Sequence, residues 1–246
     1  MIKNNEYNQS PYKEIPEELV DQYSMNGLVK LWKCFFDHST VRSDYTNWDN
    51  LLPGYIKIIG NLEKEKDALP YGFEESAMRV RLAMQDANLY NKKIAVVGSV
   101  RPWIEAIGIT MQCKITTAEY NLPEINTHPD IRTVTWDEFA LENEKYDAVI
   151  SYSSIEHSGL GRYGDPLNPN GDLHATSVIR SKIKPSGFFI LAVPYHPTKD
   201  ILNWNADRTY GPNRWPLLIK GFTIKNKFVS ENPKSRQPVF VLQLDK

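Results

Sequence analysis

The chain has 246 residues, 41% of them hydrophobic and 24% charged, with a formal net charge of -1. Such a composition buries a sizeable core, as one large domain or a core domain with an added cap, and its lack of excess Lys and Arg excludes nucleic acid as the main partner. Cys34 and Cys113 are the only cysteines, which excludes a disulfide framework or a Cys-based zinc site and suits buried thiols in a reducing compartment.

The opening MIKNNEYNQS has neither an apolar core nor a small-residue cleavage site, so no secretory signal is expected. No run approaches the roughly 18 apolar residues of a membrane span, and the cytoplasm is the default location. Residues 1–14 are polar. From Pro16 the spacing of Leu19, Tyr23, Leu28, Leu31, Trp32, Phe35 and Phe36 predicts a helix, with Pro16 in its first turn and Gly27 weakening it. A second helix is predicted to start around Trp48 to Pro53 and to pass Tyr55, Ile56, Ile59 and Leu62 into the run Glu63–Asp67, which reads as a solvated face. A third is predicted over 74–90, with Ala77, Val80, Ala83, Met84 and Ala87 on one side and Asn91 as a left-handed cap. Residues 1–90 are therefore expected to form a helical N-terminal extension, acting as a cap, a docking layer or an oligomer interface.

From Lys92 the period changes. Ile94–Gly98 predicts a buried strand, Pro102 opens a short helix through Ile107, and Lys114–Glu119 and Ile131–Thr135 predict two further strands. A helix over 136–143 leads to a strand over Asp147–Tyr152, rich in β-branched residues. After a long loop come a helix over Leu173–Lys182, a turn at Lys184-Pro185-Ser186-Gly187 and a strand over Phe188–Val193. Phe222–Val229 and Val239–Leu244 close the chain as an antiparallel pair. Strands alternating with helices imply an α/β fold with a mostly parallel sheet and an antiparallel last strand, built from residues 91–246.

Two stretches carry chemistry. Gly98-Ser99 ends the first strand of that sheet, where a residue without a Cβ lets a ligand approach the backbone. Glu119 ends the next strand, 119 − 98 = 21 residues on, the spacing at which an acid reaches ribose hydroxyls in dinucleotide-type folds. Ser-Val-Arg-Pro-Trp follows Gly98 without further glycines. A pyrophosphate cradle is thus not expected, and NAD gives way to a nucleoside without phosphates. The second stretch is Asp147–Asp172, DAVISYSSIEHSGLGRYGDPLNPNGD, in which the strand over Asp147–Tyr152 runs into a long loop. Glycines and prolines break every period in it while Glu156, His157, Arg162, Tyr163, Asp165 and Asp172 crowd among them. A loop of that length is usually functional or disordered, and its Tyr and apolar residues favour a folded, charged pocket wall at a strand's carboxyl end.

YDAVISYSSIEHSGL followed by IKPSGFFILAVPYH resembles class I S-adenosylmethionine-dependent methyltransferases, in which a buried strand, a Glu-His pair, a helix, a Lys-Pro-x-Gly turn and an apolar strand ending in Pro come in this order. More narrowly, residues 93–222 resemble a domain-of-unknown-function family first catalogued in nematodes and also found in bacteria, through VGSVRPWIEA, TTAEYN, SSIEHSGLGRYGDPLNPNGD and NWNADRTYGPNRWPLL. The resemblance implies a Rossmann-like, methyltransferase-type sheet and S-adenosylmethionine as cofactor. Gly98 and Ser99 would border its methionine part, Glu119 and the adjoining Tyr120 its ribose, and Trp136 and Asp137 its adenine. Ser153 and Ser154 would complete the wall. His157 becomes the candidate general base, with Glu156 orienting it, binding substrate or only shaping the loop.

Arg162 and Asp165 are further catalytic candidates, or they pair with each other to fix the loop. Tyr163, with Asn205, Arg208 and Tyr210 of NWNADRTYG, is expected to bind a small polar substrate, plausibly a saccharide or nucleotide-sugar hydroxyl in surface polysaccharide biosynthesis. His157, Asp165, Asp172, His174 and His196 could hold a divalent metal, yet no compact ligand spacing is present and no metal ligand is assigned. Two other functions stay open: a metal-dependent sugar lyase or isomerase using the charged loop, and a non-catalytic module that binds a glycan or partner through N-terminal aromatics.

Overall fold

The computed structural model describes residues 12–37, 47–61, 73–120, 122–123, 125, 128–231, 235 and 237–245. In chain order the elements are α1 (Val20–Tyr23), β1 (Lys30–Lys33), α2 (Trp48–Gly60), α3 (Phe73–Asp86), β2 (Lys93–Val97), α4 (Trp103–Thr110), β3 (Lys114–Glu119) and β4 (Ile131–Thr135). Then follow α5 (Trp136–Leu141), β5 (Tyr146–Tyr152), α6 (Gly171–Lys182), β6 (Ile183–Ala192), β7 (Ile201–Trp204), β8 (Asp207–Thr209), α7 (Trp215–Leu218), β9 (Phe222–Phe228) and β10 (Val239–Leu244). Contacts divide the chain into two units. One comprises residues 43–152, 179–192 and 221–246; the other comprises 1–42, 153–178 and 193–220.

The first unit is built on a seven-stranded sheet of order β4-β3-β2-β5-β6-β10-β9. β2 runs parallel to both β3 and β5, β5 parallel to β6, and β3 parallel to β4, whereas β10 is antiparallel to β6 and β9. Parallel strands buried on both faces need continuous apolar runs, and β2 and β5 supply them: Ile94, Ala95, Val96, Ala148, Val149 and Ile150 have no exposed surface. Ile94, Val96, Ala148 and Ile150 pack in one cluster with Leu52, Tyr55 and Ile59 of α2, Ala77, Val80, Ala83 and Met84 of α3, and Ile104 and Ile107 of α4. Close approach of α4 requires Gly108, where a Cβ would lie 2.7 Å from Ile115 Cδ1. A capping box starts α5, with the Thr135 hydroxyl accepting from the Glu138 N–H and the Glu138 carboxylate accepting from the Thr135 N–H.

The second unit carries a small sheet of order β1-β7-β8, with β1 parallel to β7 and β8 antiparallel to it. Tyr23, Val29, Leu160, Leu202 and Trp204 form its apolar centre.

Several expectations are corrected here. The continuous helix from Pro16 to Phe36 does not form. Met25, Asn26 and Gly27 all take positive φ, of 50°, 55° and 88°, which ends α1 and turns the chain into β1. Apolar residues at helical spacing were serving two elements. The α2 and α3 expectations hold in their described parts, α3 ending at Asp86 ahead of left-handed Asn88 and Asn91; the run Glu63–Asp67 lies outside the described residues. The expected turn at Lys184–Gly187 is an irregularity inside β6, which already pairs at Ile183 with Tyr146 and slips register before Ala148↔Phe188. The strands β7 and β8 in NWNADRT went unpredicted. Residue 90 is not where the contacts divide the chain, since α2 and α3 belong to the seven-stranded unit and β1 to the other. Among the described residues no helix is long and apolar enough to cross a membrane.

Candidate functional site

In the seven-stranded unit, candidate residues gather at the carboxyl ends of neighbouring strands, the end at which open α/β sheets bind ligands. Gly98 continues the β2 ladder by donating its N–H to Ala118 O at 3.1 Å, then turns with φ +77°, a conformation that favours glycine. The next N–H, of Ser99, donates to Glu119 Oε1, and the Tyr120 N–H donates to Glu119 Oε2 at 3.1 Å. Burial pushes the Glu119 carboxyl up to about 7, against the pull of those two N–H groups. Half-buried Glu119 thus ends β3 with its two oxygens held by the backbone N–H groups of Ser99 and Tyr120. Trp136 is half-buried at the first position of α5, its ring 5.9 Å from that of Phe139, while Asp137 and Tyr120 are exposed.

One residue of this constellation escaped the sequence reading. Glu105, on α4, has no exposed surface; its Oε2 lies 3.0 Å from Ser99 Oγ and its Oε1 2.9 Å from Thr117 Oγ1. Burial pushes it up to about 7, opposed by these hydroxyls and its own backbone N–H, with the Glu119 charge raising it further. The available signal was a single acid inside the otherwise apolar helix run Trp103–Gly108.

In the second unit, Ser153 and Ser154 lead into a single 3₁₀ turn at Ile155–His157. Ser153 Oγ donates to Glu156 Oε1 at 2.9 Å, and Glu156 is 1% exposed. The His157 ring places Nδ1 2.6 Å from Ala206 O. A carbonyl can only accept, so Nδ1 carries the hydrogen and Nε2 holds a lone pair. Burial lowers His157 to about 4, with the Ala206 carbonyl opposing and the Arg162 and Arg208 charges assisting, so the ring is neutral near pH 7. Tyr163 packs edge-on against it at 5.7 Å. The Arg162 guanidinium lies 4.7 Å from the Phe36 ring and 5.1 Å from that of Tyr163, and donates to Ala206 O at 3.2 Å. Arg162 and Asp165 are thus each engaged elsewhere.

Asp165 serves the loop itself. Its Oδ2 accepts from the Gly159 N–H at 2.7 Å and the Gly161 N–H at 3.3 Å, its Oδ1 from the Tyr163 N–H at 3.3 Å. Behind it lies a buried ionic cluster. Asp172, without exposed surface, accepts from Arg214 Nε at 2.8 Å and Tyr210 OH at 3.0 Å, with Arg208 Nε at 3.7 Å. Arg208 and Arg214 hold its carboxyl well below the ordinary range despite burial. Arg208 also donates to Glu156 O and Ser158 O, and both arginines donate to Pro169 O. Asn205, fully buried, exchanges hydrogen bonds with the Phe36 backbone at 2.8 and 2.9 Å. Asn205, Arg208 and Tyr210, expected to bind substrate, are all buried, with hydrogen bonds to the Phe36 backbone, to loop carbonyls and to Asp172 respectively. Tyr163 is 39% exposed. Among the described residues no group of three or more His, Cys, Asp or Glu converges as metal ligands; His174 is exposed and Asp172 is committed to arginines.

The family described as "Caenorhabditis protein of unknown function, DUF268" matches residues 91–241. No curated protein matches the chain. Solved structures share its fold, two of them methyltransferases with bound S-adenosylhomocysteine. The 1,6-didemethyltoxoflavin-N1-methyltransferase of Burkholderia thailandensis, with bound 1,6-didemethyltoxoflavin and S-adenosylhomocysteine, is 14% identical with a TM-score of 0.55, over 84% of this chain and 94% of that one. The N-methyltransferase NodS from Bradyrhizobium japonicum WM9, in complex with S-adenosyl-L-homocysteine, is 10% identical with a TM-score of 0.50, over 78% of this chain and 100% of that one. At such identities the likeness establishes the architecture: a Rossmann-like, class I methyltransferase-type sheet.

Proposed function

The chain belongs to the DUF268 family, and from that premise we propose that it is an S-adenosylmethionine-dependent methyltransferase acting on a small polar acceptor, a saccharide or nucleotide-sugar hydroxyl in surface polysaccharide biosynthesis. The observation that carries this reading is the pair of strand tips at β2 and β3, where Gly98 with φ +77° and the carboxylate of Glu119 come from adjacent parallel strands of a methyltransferase-type sheet.

The residues fit such a donor. It has no phosphates, and the loop after Gly98 has no glycine-rich cradle for any. Glu119, held by two backbone N–H groups, would accept from the ribose hydroxyls, and Trp136 would offer a flat face to adenine. S-adenosylmethionine, when bound, supplies an electrophilic methyl group. His157 would take the hydroxyl proton at Nε2, since its Nδ1–H is fixed on Ala206 O and burial keeps the ring neutral. A base this weak captures the proton as the acceptor oxygen gains its methyl, so positioning supplies most of the acceleration. The exposed face of Tyr163, beside the Arg162 guanidinium, suits a sugar ring. Glu156, Asp165, Arg208, Asn205 and Tyr210 are assigned to holding that loop.

Titration calorimetry with S-adenosylmethionine and S-adenosylhomocysteine tests the donor. Binding of either supports the reading; silence towards both removes it. Methyl transfer from labelled donor onto a panel of sugars and nucleotide sugars tests the acceptor.

A further inference from the structure

We propose that Glu105 is a positioning residue of the donor subsite, fixing the tips of β2 and β3 through Ser99 and Thr117, and that its proton decides which acceptor the Ser99 hydroxyl serves. This rests on assigning the seven-stranded unit to the methyl donor. It goes further in naming what replaces a glycine-rich loop: a carboxyl group reaching from inside α4.

The starting point is a mismatch between chemistry and place. Trp103, Ile104, Ala106, Ile107 and Gly108 around Glu105 are buried, and an ionisable group in such a setting is costly unless its polar atoms are matched. The matching groups are two hydroxyls and the residue's own helix N–H, while the neighbouring Glu119 charge opposes ionisation. A carboxyl satisfied by hydroxyls and an N–H does not gain from charge pairing. Its two oxygens instead tie together two strands. Thr117 sits on β3 two residues before Glu119, and Ser99 directly follows Gly98 at the end of β2.

Counting hydrogens sharpens the role. Ser99 Oγ lies 3.0 Å from Glu105 Oε2 and 3.1 Å from Arg101 O, and a hydroxyl has one hydrogen to give. With Glu105 ionised, that hydrogen goes to the carboxylate and Arg101 O keeps only the Trp103 N–H. With Glu105 protonated, the carboxyl O–H donates to Ser99 Oγ, which donates onward to Arg101 O beside the Trp103 N–H. The Ser99 N–H meanwhile holds Glu119 Oε1. The Glu119 charge also raises Glu105. Engagement of ionised Glu119 by a ribose diol is thereby linked to the proton on Glu105.

The experiment is calorimetry of S-adenosylhomocysteine binding from about pH 5.5 to 9, in buffers of different ionisation enthalpy, on wild type, Glu105→Gln, Glu105→Leu and Ser99→Ala. Glutamine can donate to Ser99 and accept from Thr117, as the protonated acid does. Glu105→Gln should therefore bind nearly as wild type does, but with the Glu105 step gone from its pH profile and the Glu119 step moved to lower pH. Glu105→Leu should weaken binding by at least about ten-fold, the Thr117 hydroxyl losing its acceptor and the tie to Ser99 being cut. Should the leucine variant fail to fold by circular dichroism, Ser99→Ala carries the test: the link between Glu105 and the loop is cut, and the pH profile must change. An unaltered profile in Glu105→Gln, or wild-type affinity in Glu105→Leu, overturns the proposal. Wild-type protein that binds no S-adenosylhomocysteine overturns it together with the donor assignment, whereas tight wild-type binding with indifferent variants removes the Glu105 role alone.

Discussion

Glu105 is buried and His157 half-buried, and they respond to pH in opposite directions. The imidazole titrates near 6.5 in an unfolded chain and near 4 in the fold. The folded state therefore prefers it neutral, and its contribution to stability is complete above pH 6.5 and lost as the pH falls towards 4. The difference of 2.5 units corresponds to at most about 3 kcal/mol. His157→Ala should leave the dissociation constant of S-adenosylhomocysteine unchanged while turnover drops by roughly 10² to 10⁴. Unchanged turnover would reassign the residue to loop structure. Glu105 is raised from 4.5 to about 7, so its proton stabilises the fold fully below pH 4.5, and that contribution disappears as the pH climbs through 7. Glu105→Gln should accordingly melt at a higher temperature than wild type at pH 8 and at nearly the same temperature near pH 4.5. Melting curves at the two pH values check the sign.

At the level of elements, the segment 153–172 behaves as a built structure. Six glycines and prolines marked it in the sequence as irregular, and irregularity is what the structure has. What those residues could not convey is which charges point inwards. Asp165 turns back onto three loop N–H groups, and Arg208 and Arg214 enter from beneath to hold loop carbonyls and Asp172. A helix or strand period tells direction; a glycine-broken loop has no period, so Arg208 and Tyr210 read as substrate contacts until tertiary contacts buried them. Arg214→Ala is the sharper test of this architecture. It removes the closest cation from Asp172 and should cost on the order of 3 kcal/mol, because a buried carboxylate is left undercompensated. Chemical denaturation measures the loss. A change within experimental error would mean that Arg208 alone neutralises the site.

Across the whole molecule, neither unit is a continuous stretch of chain; the path passes between them at residues 42, 152, 178, 192 and 220. Cutting at residue 90 therefore removes parts of both. A fragment of residues 91–246 loses α2 and α3, whose Leu52, Tyr55, Ile59, Val80 and Met84 cover the core around Ile94 and Ile104. It should give weak near-ultraviolet dichroism and poorly dispersed amide resonances. A cooperatively folded fragment would restore the boundary at 90 as a genuine division.

The seven-stranded sheet was legible because its signals are local. Apolar β-branched runs at Ile94, Val149 and Val239 can bury both faces only as central strands, and the 21-residue step from Gly98 to Glu119 follows from one strand-helix-strand unit returning to the same edge of the sheet. The sequence by itself determined those strands, their alternation with helices and the two residues at their tips. Only the tertiary structure decided that Leu31 and Trp32 belong to a strand beside Ile201–Trp204 and that Glu105 reaches the loop after β2. Both depend on pairings between residues separated by a turn of the fold rather than by a period of the chain, and long-range pairing leaves no imprint on the spacing of residues along it.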